Sequence, residues 1–357
     1  MNASTATRED LVNFARLARW MDDFGLGHGP IENVEWIGGG TQNLIVRFER
    51  CGRAFVLRRP PLQSLSDGSK AMLRESRVLR ALAGTPVPHP PLILECADRE
   101  VLGEAFYLME PVVGFNATKG LPRTYLADEA QRAMAYAVVD AIADLGRVDY
   151  IARGLEGFGK LDNYLARQTT RWRSQLDSYS RFEGWTGRQG LPGVDAVAAW
   201  LDAHRPDRFA PGIVHGDYHL ANIMFRPDAP AISAIVDWEL ATIGDPLLDL
   251  GWLIATWPGV SGEDTGSSVA IPGATALPTV GDLVDRYATA SEREMSHLRW
   301  MVVLACYKLG ILQEGSHARA CAEERTSTPS RRDHDWAVAM MARAQRFIDS
   351  RDVGRAF

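Results

Sequence analysis

The feature that most restricts how this chain can fold is a change of hydrophobic period near Pro111. From Asn33 to about Val112 the sequence is dominated by short β-rich runs: Val34-Glu35-Trp36-Ile37, Leu44 to Phe48, Ala54 to Leu57 and Ala105 to Met109. Runs of this length and composition, bounded by turn residues, predict strands of one antiparallel sheet. Arg50-Cys51-Gly52-Arg53 supplies a glycine-containing turn between the second and third runs, which predicts a hairpin. One helix interrupts the strands over 69–82, where Met72, Leu73, Val78, Leu79 and Leu82 recur at helical spacing and Gly84 with Pro86 ends the run. Beyond Pro111, helical periods fill 127–147, 161–179, 194–204, 283–290, 294–312 and 333–349. The β-like stretch of this half is Ile223-Met224-Phe225 and Ile232 to Val236, around a Pro227-Asp228-Ala229-Pro230 turn. These periods predict an α+β chain of two lobes. The first, 1–112, holds a small antiparallel β-sheet with one helix, and the second, 113–357, is larger and mainly α-helical. The segment 259–278, rich in Gly, Ser, Thr and Pro, reads as a mobile surface loop.

Composition excludes several classes. The cysteines, Cys51, Cys96, Cys306 and Cys321, lie far apart and never form a C-x-x-C pair, so neither a zinc site nor a disulfide framework is indicated. A reducing, cytoplasmic setting suits them. The first twenty residues carry Arg8, Glu9, Asp10, Arg16 and Arg19 among apolar positions, an amphipathic helix in place of a secretory signal. The apolar run Trp300 to Tyr307 stops at Lys308, short of the roughly 20 residues a membrane span needs, so no membrane insertion is expected. A net charge of -6 with interspersed signs argues against nucleic acid and for a small-molecule partner.

The chemistry concentrates in Ile213-Val214-His215-Gly216-Asp217-Tyr218-His219-Leu220-Ala221-Asn222-Ile223-Met224-Phe225 and the following Ile235-Val236-Asp237-Trp238-Glu239. Phosphoryl transfer requires an oriented, partly deprotonated acceptor hydroxyl and cations that neutralise charge on the transferring group. Asp217 suits the first task, and Asn222 with Asp237 offers the hard oxygen ligands that magnesium takes. An aspartate in an H-G-D tripeptide alone is more often a turn or cap. Only the ordered set of Asp217, Asn222, apolar strands and Asp237 favours catalysis over that reading.

H-G-D-x-x-x-x-N followed by an apolar strand and D-W resembles the catalytic and metal-binding segments of the aminoglycoside and choline phosphotransferases, relatives of the protein kinases. The resemblance implies a bilobal, protein-kinase-like fold and transfer of the γ-phosphate of ATP to a small-molecule hydroxyl. It also implies Asp217 as base, Asn222 and Asp237 as Mg2+ ligands, and His215 as a structural residue of the loop. Gly216 stands where protein kinases have Arg, and Trp238-Glu239 where they have Phe-Gly. Gly38, Gly39, Gly40 and Thr41 would cover the nucleotide phosphates, although the same glycines read almost equally well as a plain hairpin turn. Arg58 takes the place of the usual strand lysine and would contact phosphates while pairing with Glu75 of the helix. Met109, Glu110 and Val112 fall at the implied adenine-binding hinge, with Val56 against the ring. Val56-Leu57-Arg58-Arg59-Pro60-Pro61, Met72-Leu73-Arg74-Glu75 and Asp237 to Pro246 are similar to one subgroup in particular, the kinase-like domain fused to some acyl-CoA dehydrogenases.

Acceptor residues are less constrained. Arg167, Arg171, Lys308 and Arg319, beside Glu239 and Glu314, fall in segments that the implied fold places near the acceptor. This mixed charge suits an anionic or neutral acceptor at least as well as a polycation, and the subgroup points to a hydroxyacyl compound such as a hydroxyacyl-CoA. An aminoglycoside or choline-type kinase is the alternative, and a nucleotide-binding pseudokinase a second one, motivated by Arg58. Asp245 and Asp249 read as helix caps or braces of the 215–222 loop, and Trp172, Trp300 and Trp336 as core. His219 reads as packing within that loop, and His28, His89, His204, His297, His317 and His334 show no metal-ligand spacing.

Overall fold

The computed structural model describes residues 11–37, 43–60, 68–264, 266, 269–323, 328–350 and 352–355. The chain divides into two compact units, Met1–Thr85 with His89–Val113, and Pro86–Pro88 with Gly114–Phe357.

In the first unit, helix α1 (Phe14–Asp23) precedes strands β1 (Glu32–Trp36), β2 (Leu44–Arg50) and β3 (Arg53–Arg59). Helix α2 (Gly68–Leu82), strand β4 (Leu92–Cys96), the short helix α3 (Arg99–Leu102) and strand β5 (Phe106–Met109) follow. The strands form one antiparallel sheet in the order β1-β2-β3-β5-β4. The hairpin predicted at Cys51-Gly52 is present: Arg50 pairs with Arg53, and both turn residues have positive φ, 53° and 73°, as the strand twist requires of a two-residue loop. Strand β2 buries Val46, Phe48 and Arg50 and leaves the alternate positions part-exposed. Val46, Phe48, Phe55, Leu57, Phe106 and Leu108 pack with Leu17, Trp20 and Met21 of α1. Arg50 is buried among them because α1 and the loop after it satisfy its guanidinium: Asp22 Oδ1 lies at 2.5 Å, Ala18 O at 2.9 Å and Gly29 O at 3.1 Å.

The second unit contains α4 (Asp128–Arg147), α5 (Ala166–Asp177) and α6 (Val194–Ala203). Strands β6 (Gly212–Val214), β7 (Ile223–Phe225), β8 (Ile232–Ile235) and β9 (Thr242–Gly244) come next. They are followed by α7 (Leu247–Thr256), α8 (Val280–Ala290), α9 (Leu298–Ala322) and α10 (Thr328–Asp349). The strands pair as two antiparallel ribbons, β6 with β9 and β7 with β8. All residues of α7 are buried, and a Cβ on its Gly251 would stand 2.8 Å from the backbone of Met301, so only glycine lets α9 approach this closely.

The expectation of a mobile surface loop over 259–278 is corrected in its second half. Ile271, Ala274, Ala276 and Leu277 are buried, and the N–H groups of Thr275 and Ala276 both donate to Gln131 Oε1 of α4, at 2.8 and 2.9 Å. The Gly, Ser and Thr residues of its first half concealed an apolar, anchored second half whose backbone bonds end on a side chain.

Candidate active site

The two predicted oxygen donors are brought together by a hairpin. Ile223 pairs with Ile235, so the residues just outside the ribbon, Asn222 and Val236, stand opposite each other, and Val236 N–H donates to Asn222 O at 2.9 Å. Asp237 follows at once with φ 68°, a left-handed conformation that aspartate tolerates better than most residues. The chain then enters a 3-10 turn, Trp238–Leu240, which carries the part-buried Glu239.

The loop between β6 and β7 supplies the third group. Asn222 Nδ2 donates to both Asp217 Oδ2 and Asp217 O, each at 2.9 Å, which leaves Oδ1 as the amide's oxygen for a cation. His219 Nε2 lies 3.2 Å from Asp217 Oδ1. Burial works to raise the Asp217 pKa, yet the hydrogen bond and charge of His219, aided by His215 and Asn222, outweigh it and hold the carboxyl below the usual range. Asp217 is therefore an anion able to accept a proton or a hydroxyl hydrogen bond.

His215 is structural. Its Nδ1 accepts Asp217 N–H at 3.3 Å, so Nε2 carries the proton and donates to Val236 O at 3.0 Å, tying the loop to the hairpin. Burial pushes its pKa down to about 4, so the ring stays neutral, packed edge-on against Trp238 and Tyr218. Gly216, at φ 87°, has no room for a side chain, since a Cβ would meet Leu240 O at 2.6 Å. Asp249, in the first turn of α7, accepts the N–H groups of His215 and Gly216 at 2.6 and 2.9 Å, while Asp245 caps the same helix at Leu247 N. Both fit the expectation of caps and braces. Sequence reasoning missed Asn116, whose Nδ2 donates to the carbonyls of Leu220, Ala221 and Ile223. It lies far away in sequence, and no local pattern marks it.

Lys308 of α9 is 92% buried by its 8% exposure, with Nζ 4.8 Å from the Trp252 ring and 5.4 Å from that of Trp172. Trp172 thus faces a cation and is more than core. Burial pushes the Lys308 pKa down to about 8 against the opposing pull of Asp249 and Asp217, and Asp249 is pushed up to about 7 by its own burial. Arg171 stands near enough to act on Lys308 in the same sense as burial.

The remaining candidates are distributed as follows. Arg167 folds onto Lys160 O and Asn163 O. Arg319 is exposed and bonds Ser316 Oγ at 3.1 Å. Glu314 is fully buried, bonded to Trp185 Nε1 at 2.6 Å and His334 Nδ1 at 2.8 Å, a polar cluster of its own. In the first unit, Arg58 Nε lies 3.1 Å from Glu75 Oε2, both side chains being at least nine-tenths buried. Val56 pairs with Met109 in the sheet and is buried on the neighbouring strand. Glu110 instead pairs at the surface with Arg53 Nη2 at 3.1 Å, and Val112 is part-buried. Gly38, Gly39, Gly40 and Thr41 lie outside the described residues. No described helix is long and apolar enough to cross a membrane, and all four cysteines are free.

Comparison with known proteins identifies the family. A family model described as "Phosphotransferase enzyme family" matches residues 33–270. The Gallus gallus acyl-CoA dehydrogenase family member 11 is 28% identical over 328 residues, covering 89% of this chain and 40% of that protein. The chain thus spans about two fifths of the length of this curated relative. A solved structure from Ralstonia eutropha JMP134, described as a candidate aminoglycoside phosphotransferase, is 29% identical with TM-score 0.77, covering 94% of this chain and 98% of that one. A thermostable mutant of aminoglycoside phosphotransferase APH(4)-Ia (D198A), solved as a ternary complex with ADP and hygromycin B, shares the fold at 16% identity and TM-score 0.57, over 93% of this chain and 98% of that one. The chain belongs to the phosphotransferase enzyme family, as a kinase-type enzyme of α+β, protein-kinase-like fold that acts on hydroxyl groups.

Proposed function

We propose that this enzyme moves the γ-phosphoryl group of ATP to a hydroxyl of a small acceptor, with Asp217 as the base. The observation that carries this is the Asn222 amide, which hydrogen-bonds Asp217 through Nδ2 and so keeps Oδ1 for a cation, at the end of the hairpin where the Asn222 backbone pairs with Val236, the residue before Asp237. The donor set is made of hard oxygens, which fits magnesium, and Asn222 and Asp237 would hold it. When bound, the cation neutralises phosphate charge. Asp217 accepts the acceptor's hydroxyl proton and orients its oxygen for attack, and His219 stabilises the carboxylate while the proton is still on the substrate.

Nucleotide binding is assigned to 1–112, where Arg58, held by Glu75, supplies a fixed cation for phosphate, and Val56 and Met109 supply apolar surface for the base. Acceptor binding and catalysis are assigned to 113–357. The solved relative in complex with ADP supports a nucleotide substrate. For the acceptor we favour a hydroxyacyl compound such as a hydroxyacyl-CoA. The relation to an acyl-CoA dehydrogenase family member supports it, as does Lys308, a cation close enough to act electrostatically on Asp249, which braces the Asp217 loop, with Arg171 near it. A second acceptor class, an aminoglycoside, is favoured by the neighbour crystallised with hygromycin B. The free thiols suit a cytoplasmic setting.

Phosphotransfer assays on the purified chain with hydroxyacyl thioesters, aminoglycosides and choline decide the acceptor; turnover of aminoglycosides alone removes the acyl assignment. Asp217→Asn lowers kcat by about 10²–10⁴ while leaving nucleotide affinity nearly unchanged. An unchanged kcat removes Asp217 from the role of base.

A further inference from the structure

The cluster around Glu314 has no part in the chemistry above. Glu314, His317 and Cys321 are spaced along α9 so that they share one face, and α10 runs back against that face: Gly310 of α9 meets Ala337 and Met341, and Glu314 meets His334. One ligand atom from each of Glu314, His317 and His334 lies within 4.8 Å of the other two. The two imidazole rings are 4.9 Å apart, and Cys321 Sγ lies 3.5 Å from His317 Nε2. Separate helices carry the two histidines, so the grouping is invisible to spacing along the sequence, which shows no metal-ligand pattern.

We infer that Glu314, His317 and His334 form a binding site for a divalent transition-metal cation of the zinc class, with the Cys321 thiol as an adjacent fourth donor. Glu314 is fully buried, and a buried carboxylate must be compensated. Trp185 Nε1 donates to Oε1 at 2.6 Å, which fixes the carboxylate and turns Oε2 toward the histidines. Oε2 and His334 Nδ1 share a hydrogen bond of 2.8 Å. A bound cation takes the place of that proton. Ligand atoms around tetrahedral zinc stand about 3.3–3.7 Å apart, given Zn–N near 2.0–2.1 Å and Zn–S near 2.3 Å. The 3.5 Å separation of His317 and Cys321 already matches this spacing, and the Glu314–His334 edge needs to open by roughly half an ångström. Two imidazoles, one carboxylate and a nearby thiol select zinc or its borderline neighbours over magnesium and calcium, which take oxygen alone. The site is therefore chemically distinct from the Asn222 and Asp237 oxygens. Its occupant would clamp α9 to α10 and to the segment that carries Trp185.

The test uses the full chain stripped with a chelator and titrated with Zn2+ by calorimetry, and with Co2+ followed by absorption. His28, which lies 3.9 Å from Cys51 at the surface, can hold metal adventitiously, so the site is defined as the equivalent lost on substitution. One equivalent is expected that disappears in His317→Ala and in His334→Ala, both checked for native circular dichroism. Trp185→Phe weakens it about 10–100-fold, the usual cost of removing a group that orients a ligand. A cobalt–thiolate band that vanishes in Cys321→Ser, with the remaining cobalt spectrum retained, assigns the fourth donor. Absence of saturable binding, or an equivalent that survives both histidine substitutions, overturns the inference. Should either histidine variant fail to fold, Trp185→Phe decides: wild-type affinity there also overturns it.

Discussion

Asp249 suspends the loop that carries Asp217, and Asp249→Asn measures how much that suspension contributes. The carboxylate is fully buried and accepts the N–H groups of His215 and Gly216 on its two oxygens, at 2.6 and 2.9 Å. An amide offers a single oxygen, so one N–H faces an NH2 group. Losing a hydrogen bond to a charged acceptor costs about 1.5–3 kcal/mol. Lys308 also loses the strongest of the negative charges that oppose its burial, bringing the expected loss to roughly 2–4 kcal/mol near neutral pH. Urea unfolding should show the midpoint falling with the slope unchanged. Turnover should drop by about 10²-fold, because a displaced Asp217 no longer meets the hydroxyl in line. The pH dependence has a defined sign. Burial raises the Asp249 pKa to about 7, so the folded chain takes up a proton between the ordinary carboxyl range and that value. Its contribution to stability accordingly declines as pH rises from about 4 to about 7, and the gap between wild type and variant narrows over the same window. A variant with wild-type midpoint and turnover would refute the suspension of this loop from α7.

Gly216→Ala meets a φ of 87° and a contact of 2.6 Å with Leu240 O, so unfolding free energy should fall by roughly 2–4 kcal/mol together with kcat; a gain in stability would contradict the geometry. Glu75→Ala leaves the buried Arg58 guanidinium without its 3.1 Å partner, which should cost about 3–5 kcal/mol and raise the KM for nucleotide. A change confined to kcat would detach this pair from nucleotide binding. Lys308, with its pKa pushed down to about 8, is a cation only below that pH, so kcat/KM for an anionic acceptor should fall as pH rises through about 8. In Lys308→Gln that descending limb should vanish, and a limb that persists belongs to another group.

The parts legible in sequence are those whose geometry is local. Asp217, Asn222 and Asp237 could be placed because a short loop and a two-stranded hairpin fix them, and both are written in consecutive residues. The β2–β3 hairpin was legible for the same reason, through Gly52. Asn116, the Trp172–Lys308–Trp252 contact and the Glu314 cluster were not, since each joins residues from distant segments whose types are individually ordinary. Glu314 was expected beside the acceptor and instead binds Trp185 and His334, because burial direction along α9 cannot be read where apolar residues surround the helix. The same loss of period hid the bounds of α7. Strand β4 escaped because only Cys96 of its five residues is fully buried, leaving little alternation to detect.

The β7–β8 hairpin acts as a caliper. Its open end sets the separation of Asn222 and Asp237, while its closed end, 226–231, is anchored elsewhere, through Tyr125 Oη on Arg226 O at 2.6 Å. Length changes in that bend leave the jaws untouched, whereas a single residue gained or lost within Ile223–Phe225 or Ile232–Ile235 turns every subsequent side chain to the opposite face. Descendants of this chain are free to remodel the bend and are forbidden to slip the strands.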